Sequence, residues 1–257
     1  MTISNFIQKE LSGNLDAVFN DVNSRIFGLL GVDLNHAYID GTKIEANANK
    51  YTWVWKKSCI KSRNKVFGKL SVILEDINAF MAFYQRAVLD IRQEYAIEYV
   101  EYILHTFLEA TEMTPEDFVH GKGKHKTAIQ RLYEKVYDCY KKLKSYAQKI
   151  EICGEDRNSY SKTDRDATFM RFKKDHMKND QLLPGYNLQM VICDEFIAHY
   201  GVYAFASDTD CFQPLMDGFS KRYGFYPQYP VADAGYGSFN NYIYCEQHGM
   251  EKHMKFT

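Results

Sequence analysis

The feature that most constrains this chain is a change of hydrophobic rhythm along it. From Lys61 to Arg92 apolar residues recur at Val66, Leu70, Ile73, Ile77, Phe80, Tyr84, Val88 and Ile91. Steps of three and four put these side chains on one face of a long helix. From Lys126 to Glu151 the rhythm returns at Ile129, Leu132, Val136, Cys139, Leu143, Tyr146 and Ile150, so two helices are expected to bury their stripes against each other. Between them lie a third apolar segment, Tyr95 to Ala110, and then Thr114-Pro115-Glu116-Asp117. That tetrad reads as an N-cap, a proline at the first helical position and acids in the first turn. Residues 56–154 are therefore expected to form a helical insertion, with HGKGKHK (His120 to Lys126) as a flexible basic loop.

On either side of this block the period shortens. A helical lead-in over residues 1–35 is followed by an apolar run ending at Asp40, the first expected strand. After Gly154, YNLQMVIC (Tyr186 to Cys193) and HYGVYAFA (His199 to Ala206) read as paired strands joined at Asp194-Glu195. A helix from Phe212 to Tyr223 ends at Gly224; a short strand, Tyr229 to Ala232, runs into Asp233. A helix near Phe239 to His248 and a strand at Lys252 to Phe256 complete the order. This alternation predicts a mixed sheet flanked by helices, built from residues 36–55 and 155–257 and interrupted after its first strand.

Composition narrows the function classes. With 257 residues, 46% of them hydrophobic, the chain can bury a sizeable core. A net charge of −1 gives no global field for nucleic acid, so such a partner needs local basic patches. The start, MTISNFIQKELSGN, has no signal-peptide pattern, and nowhere do about 18 apolar residues run together; the reading is a cytoplasmic, non-membrane protein. Six scattered cysteines without a CxxC pair suggest buried thiols, not a zinc site or a disulfide framework.

Asp40 and Asp233 are the candidates for chemistry. Each ends an apolar run beside glycine and a turn, and ligands gather at the carboxyl ends of strands in α/β sheets. Two facing carboxylates repel, and a hard divalent cation removes that repulsion while leaving positions open for phosphate oxygens. The same residue pattern also suits plain turn capping.

Four stretches carry a more specific signal: YIDGTKIEANANKYTWVWKK (Tyr38 to Lys57), NSYSKTDRDATFMRFKKDHMKN (158–179), LLPGYNLQMV (Leu182 to Val191) and YPVADAGYGSFNNYIY (Tyr229 to Tyr244). In this order they resemble bacterial insertion-sequence transposases of the DDE class, over most of the chain. The resemblance implies an RNase H-like mixed sheet, α+β or α/β-like. It puts the family's first aspartate on Asp40 and its second on Asp233, as catalytic and metal ligands for Mg²⁺ or Mn²⁺. It also implies metal-dependent DNA cleavage and strand transfer, DNA (element ends and target) as partner, and a homodimer on paired ends. The family's third acid, a helical glutamate, matches no residue here; Glu246 is nearest by position and reads as a solvated helix face. The expectation is a transposase shortened at both ends, inactive or incomplete. A DNA-binding or interaction protein that keeps the fold without chemistry, and a metal-dependent nuclease, are the alternatives.

Basic residues expected to meet DNA are Lys43 beside Asp40, Lys56 and Lys57 at the head of the run Lys61, Arg63, Lys65, Lys69, and Lys122, Lys124 and Lys126 of the loop. A further run is Lys141, Lys142, Lys144 and Lys149. Solvated helix faces would carry the same residues. Asp164 and Asp166 are expected to cap a short helix begun by DATFMRFKK, beside the active site or DNA, and Asp208 and Asp210 to cap the next helix. Trp53 and Trp55 suit core packing more than base stacking, and His120 and His125 lack metal-ligand spacing.

Overall fold

A computed structural model of the chain describes residues 3–172 and 181–255. Two compact units are formed, one by Met1–Asn47 with Ala167–Thr257, the other by Ala48–Asp166. In chain order the elements are α1 (Ile3–Phe6), which runs into a π-helical turn, α2 (Leu15–Leu30), β1 (His36–Glu45), β2 (Trp53–Trp55), α3 (Lys56–Phe83), α4 (Ile97–Thr111) and α5 (Ala128–Cys153). They continue as β3 (Ser159–Ser161), β4 (Thr168–Met170), β5 (Leu183–Cys193), β6 (Phe196–Tyr203), α6 (Asp208–Tyr223), β7 (Tyr229–Ala232), α7 (Phe239–Gln247) and β8 (His253–Met254).

The first unit is built on a mixed sheet. β5 pairs antiparallel with β1 along one edge and with β6 and β4 along the other, while β1, β7 and β8 are joined by parallel pairing. Alternation in β1 makes two faces: Ala37 and Ile39 are buried, whereas His36, Tyr38 and Asp40 are exposed. The buried face meets Phe212, Leu215, Met216 and Phe219, one stripe of α6, with Tyr236 and Cys245 beside them. Each such side chain, removed from water, contributes about 1.5–3 kcal/mol before entropy is counted. Gly224 ends α6 in the left-handed conformation (φ 83°), its N–H closing on the Ser220 carbonyl. The β5–β6 turn puts both Asp194 and Glu195 at positive φ, the geometry that matches hairpin twist.

The second unit holds its own core, in which Val66, Leu70, Leu74 and Ile77 of α3 meet Val100, Ile103 and Phe107 of α4 and Val136 and Leu143 of α5. The short antiparallel pair β2–β3 adds a satellite cluster of Val54, Cys59, Cys153 and Tyr160.

Several expectations change here. The first long helix stops at Phe83, so Val88 and Ile91 lie outside it and are exposed. The side-chain amide of Asn78 brackets Leu89, donating to its carbonyl (2.8 Å) and accepting from its N–H (2.7 Å), and this buries Leu89 in their place. Thr114 to Asp117 form a capping box around one 3₁₀ turn, Pro115–Asp117, not a longer helix. DATFMRFKK begins as strand β4, because Thr168 to Met170 pair with Gly185 to Leu183. Asp164 and Asp166 therefore cap no helix there; Asp164 instead accepts from the Asp166 N–H (3.2 Å). The later part of the 158–179 stretch, like Phe256 of the last expected strand, lies outside the described residues. All six cysteines are buried free thiols. Among the described residues no helix is long and apolar enough to cross a membrane.

Candidate active site

The parallel register of β1 and β7 pairs Ile39 with Ala232. The next residues are Asp40 and Asp233, so the two acids follow a matched pair on neighbouring strands. Asp40 does not end its strand, as the sequence led one to expect. β1 runs on to Glu45, paired with β5, while β7 stops at Ala232. Gly41 makes the continuation feasible, because it faces Gln189 across the β1–β5 pair and a Cβ there would come 2.1 Å from the Gln189 amide nitrogen.

Both carboxylates are exposed, and each accepts from a backbone N–H just after it in the chain. The Gly41 N–H donates to Asp40 Oδ1 and the Gly235 N–H to Asp233 Oδ1, both at 2.8 Å. Neither carboxylate forms an ion pair among the described residues. Around them the same sheet face carries exposed apolar side chains, including Tyr38, Ile44 and Val202.

A third aspartate approaches from α6. Asp208 does not cap its helix; Ser207 is the N-cap, and Asp208 Oδ1 accepts from Asn187 Nδ2 (2.8 Å) and Gln189 Nε2 (3.1 Å). Asn187 and Gln189 are fully buried, and buried amides need partners, which draws Asp208 toward the sheet. The other oxygen, Asp208 Oδ2, lies 3.7 Å from the position of a Cβ on Gly235, and Asp233 Oδ1 lies 3.0 Å from it. Gln189 also accepts a hydrogen bond from the Tyr236 hydroxyl through Oε1. Burial, then the charges of Asp208, Asp40 and Asp233, push the Tyr236 hydroxyl far above its usual range and keep it a donor. The signal for this network was present in YNLQM, where Asn187 and Gln189 occupy core-facing positions of an alternating strand and so require buried partners.

As donors, Asp40 and Asp233 suit a hard divalent cation, since each offers carboxylate oxygen not engaged by a cationic side chain among the described residues. Among the described residues, however, no three His, Cys, Asp or Glu side chains group so as to hold a metal ion. Glu246 sits on α7, largely exposed, and pairs with Lys252 at 2.8 Å, which accords with a solvated helix face.

The basic candidates divide. Lys43 is half-buried on the same side of β1 as Gly41, opposite Asn187 in register. Lys56 Nζ is engaged by the carbonyls of Gly154 (2.6 Å) and Glu155 (3.2 Å), where it ties down the end of α5. Lys126 pairs with Glu134 at 2.6 Å. Lys57, Lys122 and Lys124 are exposed. Arg157 donates to the carbonyls of Arg165 (2.8 Å) and Asp166 (3.2 Å), which gives the KTDRD loop a structural anchor.

A mixed sheet with flanking helices is compatible with an RNase H-like transposase fold. Residues 157–256 match the transposase DDE domain family, a stretch that contains Asp208 and Asp233 and leaves Asp40 outside it. This match supports an insertion-sequence transposase of the DDE class, a class that acts on DNA and uses divalent metal. No curated protein and no solved structure matches the chain.

Proposed function

We propose that the chain is a DDE-class transposase in which Asp40 and Asp233 hold a divalent cation, Mg²⁺ or Mn²⁺, for cleavage and transfer of DNA strands. The position of the two acids, each one residue beyond the matched Ile39–Ala232 pair of neighbouring strands, supports this reading. In the first step water attacks the phosphodiester at an element end, and the 3′-oxygen leaves and takes a proton. In the second the freed 3′-hydroxyl attacks a target phosphodiester and expels that strand's 3′-oxygen. A bound cation supplies charge neutralisation at the transferring phosphoryl group. Asp40 and Asp233 bind it, their orientation fixed by the Gly41 and Gly235 N–H groups. Exposed Lys57, Lys122 and Lys124, with Lys43 at the sheet, are the proposed phosphate contacts, and the working form is a cytoplasmic homodimer on paired DNA ends.

No third acid groups with them among the described residues, and the chain by itself is proposed to be a slow or inactive catalyst. A shortfall of about 4 kcal/mol in transition-state stabilisation would lower the rate roughly a thousandfold. The absence of three grouped ligands among the described residues also favours a second reading, a DNA-binding protein that keeps the fold without chemistry.

Nicking of supercoiled plasmid in Mg²⁺ and Mn²⁺ separates the two. Slow, metal-dependent nicking abolished by Asp40→Ala and by Asp233→Ala supports the transposase reading. DNA binding with no nicking supports the second, and nicking that survives both substitutions contradicts the assignment of the site.

A further inference from the structure

The helical unit carries a charged surface that the acidic site does not use. On α3, Lys57, Lys61, Lys65 and Lys69 follow one another at intervals of four residues, all exposed. Each step rises about 6 Å along the helix, so the four ammonium groups form a regular row. Two shallow grooves run along this side and adjoin at Lys65. One is lined by Lys57, Ile60, Lys61 and Asn64, the other by Lys69, Val72, Ile73 and, from α5, Lys135. Lys142 of α5, exposed and seven residues or about two helical turns beyond Lys135, lies on the same face of that helix and extends the opposite bank.

These lysines have no acidic partner among the described residues. The acids nearby do not neutralise the strip, because Asp138 pairs with Lys141 at 2.9 Å and Asp76 lies at the far end of the second groove. Six unpaired ammonium groups on two packed helices, above an apolar floor, are complementary to a regular polyanion. Gly68 opens the middle of that floor; a Cβ there would meet nothing within 4 Å.

We infer that the α3–α5 groove binds the phosphate backbone of duplex DNA, with Lys57, Lys61, Lys65 and Lys69 along one bank and Lys135 and Lys142 along the other. From Lys57 to Lys69 the strip spans about 18 Å, or about five base pairs of duplex. Contacts of this kind position the duplex without reading its sequence. The inference rests on the proposed reading of the protein as one that acts on DNA, and it assigns the main DNA affinity to this groove.

The test is fluorescence anisotropy of the full chain with labelled 25-base-pair duplexes of two unrelated sequences, across a salt series. The combined variant Lys61→Gln, Lys65→Gln, Lys135→Gln, Lys142→Gln should weaken binding of both duplexes alike, by at least tenfold, and reduce the slope of log K against log salt by about 3–4. Gly68→Glu should weaken binding and Gly68→Lys strengthen it, with unfolding no earlier than in the wild type, since the site has room and glycine is a poor helix former. Lys221→Gln on α6 should change nothing. Wild-type affinity in the combined variant and in Gly68→Glu would overturn the groove while leaving a DNA-acting protein intact. No binding of either duplex by the wild type at low salt would overturn both, and tighter binding of an RNA duplex would overturn the choice of DNA.

Discussion

Gly41 faces Gln189 across the β1–β5 pair so closely that a methyl group on Gly41 would lie 2.1 Å from the glutamine amide nitrogen. Gln189 cannot swing aside without loosening its bonds to Asp208 and Tyr236. Gly41→Ala is therefore expected to destabilise the protein by about 1–3 kcal/mol. Gly28→Ala, on α2 where a Cβ meets nothing, should be neutral or stabilising by up to about 1 kcal/mol. Urea unfolding of the two variants checks this, and equal midpoints would contradict it.

Asp208 accepts from two buried amides, so its removal leaves Asn187 Nδ2 without its acceptor and Gln189 Nε2 with Asn187 Oδ1 alone. Asp208→Ala is expected to lower stability by about 1–3 kcal/mol. Asp208→Asn retains a carbonyl oxygen at the position that accepts from both, though without its charge, and should recover part of that loss. Chemical denaturation decides the matter; an alanine variant as stable as wild type would mean that the amides find other partners.

His199 is buried, and its Nδ1 has no hydrogen-bond partner. Burial, reinforced by Arg222, pushes its pKa down from 6.5 to about 4. Because the folded state resists protonation, the stability from neutral His199 is fully present above pH 6.5. It is lost as pH falls from 6.5 toward 4, by about 3 kcal/mol in all. Thermal unfolding between pH 7 and pH 4 should show this decline, and His199→Gln should flatten it. An unchanged slope in the variant would assign the acid sensitivity to other groups.

Much of this architecture was legible in the chain because periodicity reports burial directly. The stripes at Val66, Leu70, Ile77 and at Val136, Cys139, Leu143 do face one core, and the β5–β6 hairpin turns at Asp194-Glu195. The errors occurred where a side chain overrode the local pattern. Val88 and Ile91 extend the helical rhythm, yet the Asn78–Leu89 bracket breaks it. DATFMRFKK looks like a capped helix, but β5 offers a free edge, and sheet pairing takes Thr168 to Met170. Asp40 and Asp233 could be singled out from their motifs, whereas their placement directly after one matched pair depends on the parallel register of two strands far apart in sequence. Asp208 was read as a cap because its partners, Asn187 and Gln189, become neighbours only in the folded sheet. Lys56 looked like its neighbour Lys57 until the end of α5 supplied carbonyls for it.

The central claim, that Asp40 and Asp233 jointly hold one divalent cation, is tested most directly by titrating the purified chain with Mn²⁺ and following the free ion by electron paramagnetic resonance. Wild type, Asp40→Asn, Asp233→Asn and the double variant form the set. If one ion is shared, either single substitution weakens binding at least tenfold, and the double variant loses much less than the two separate losses combined. Wild-type Mn²⁺ affinity in either single variant, or no Mn²⁺ binding by the wild type, would contradict it.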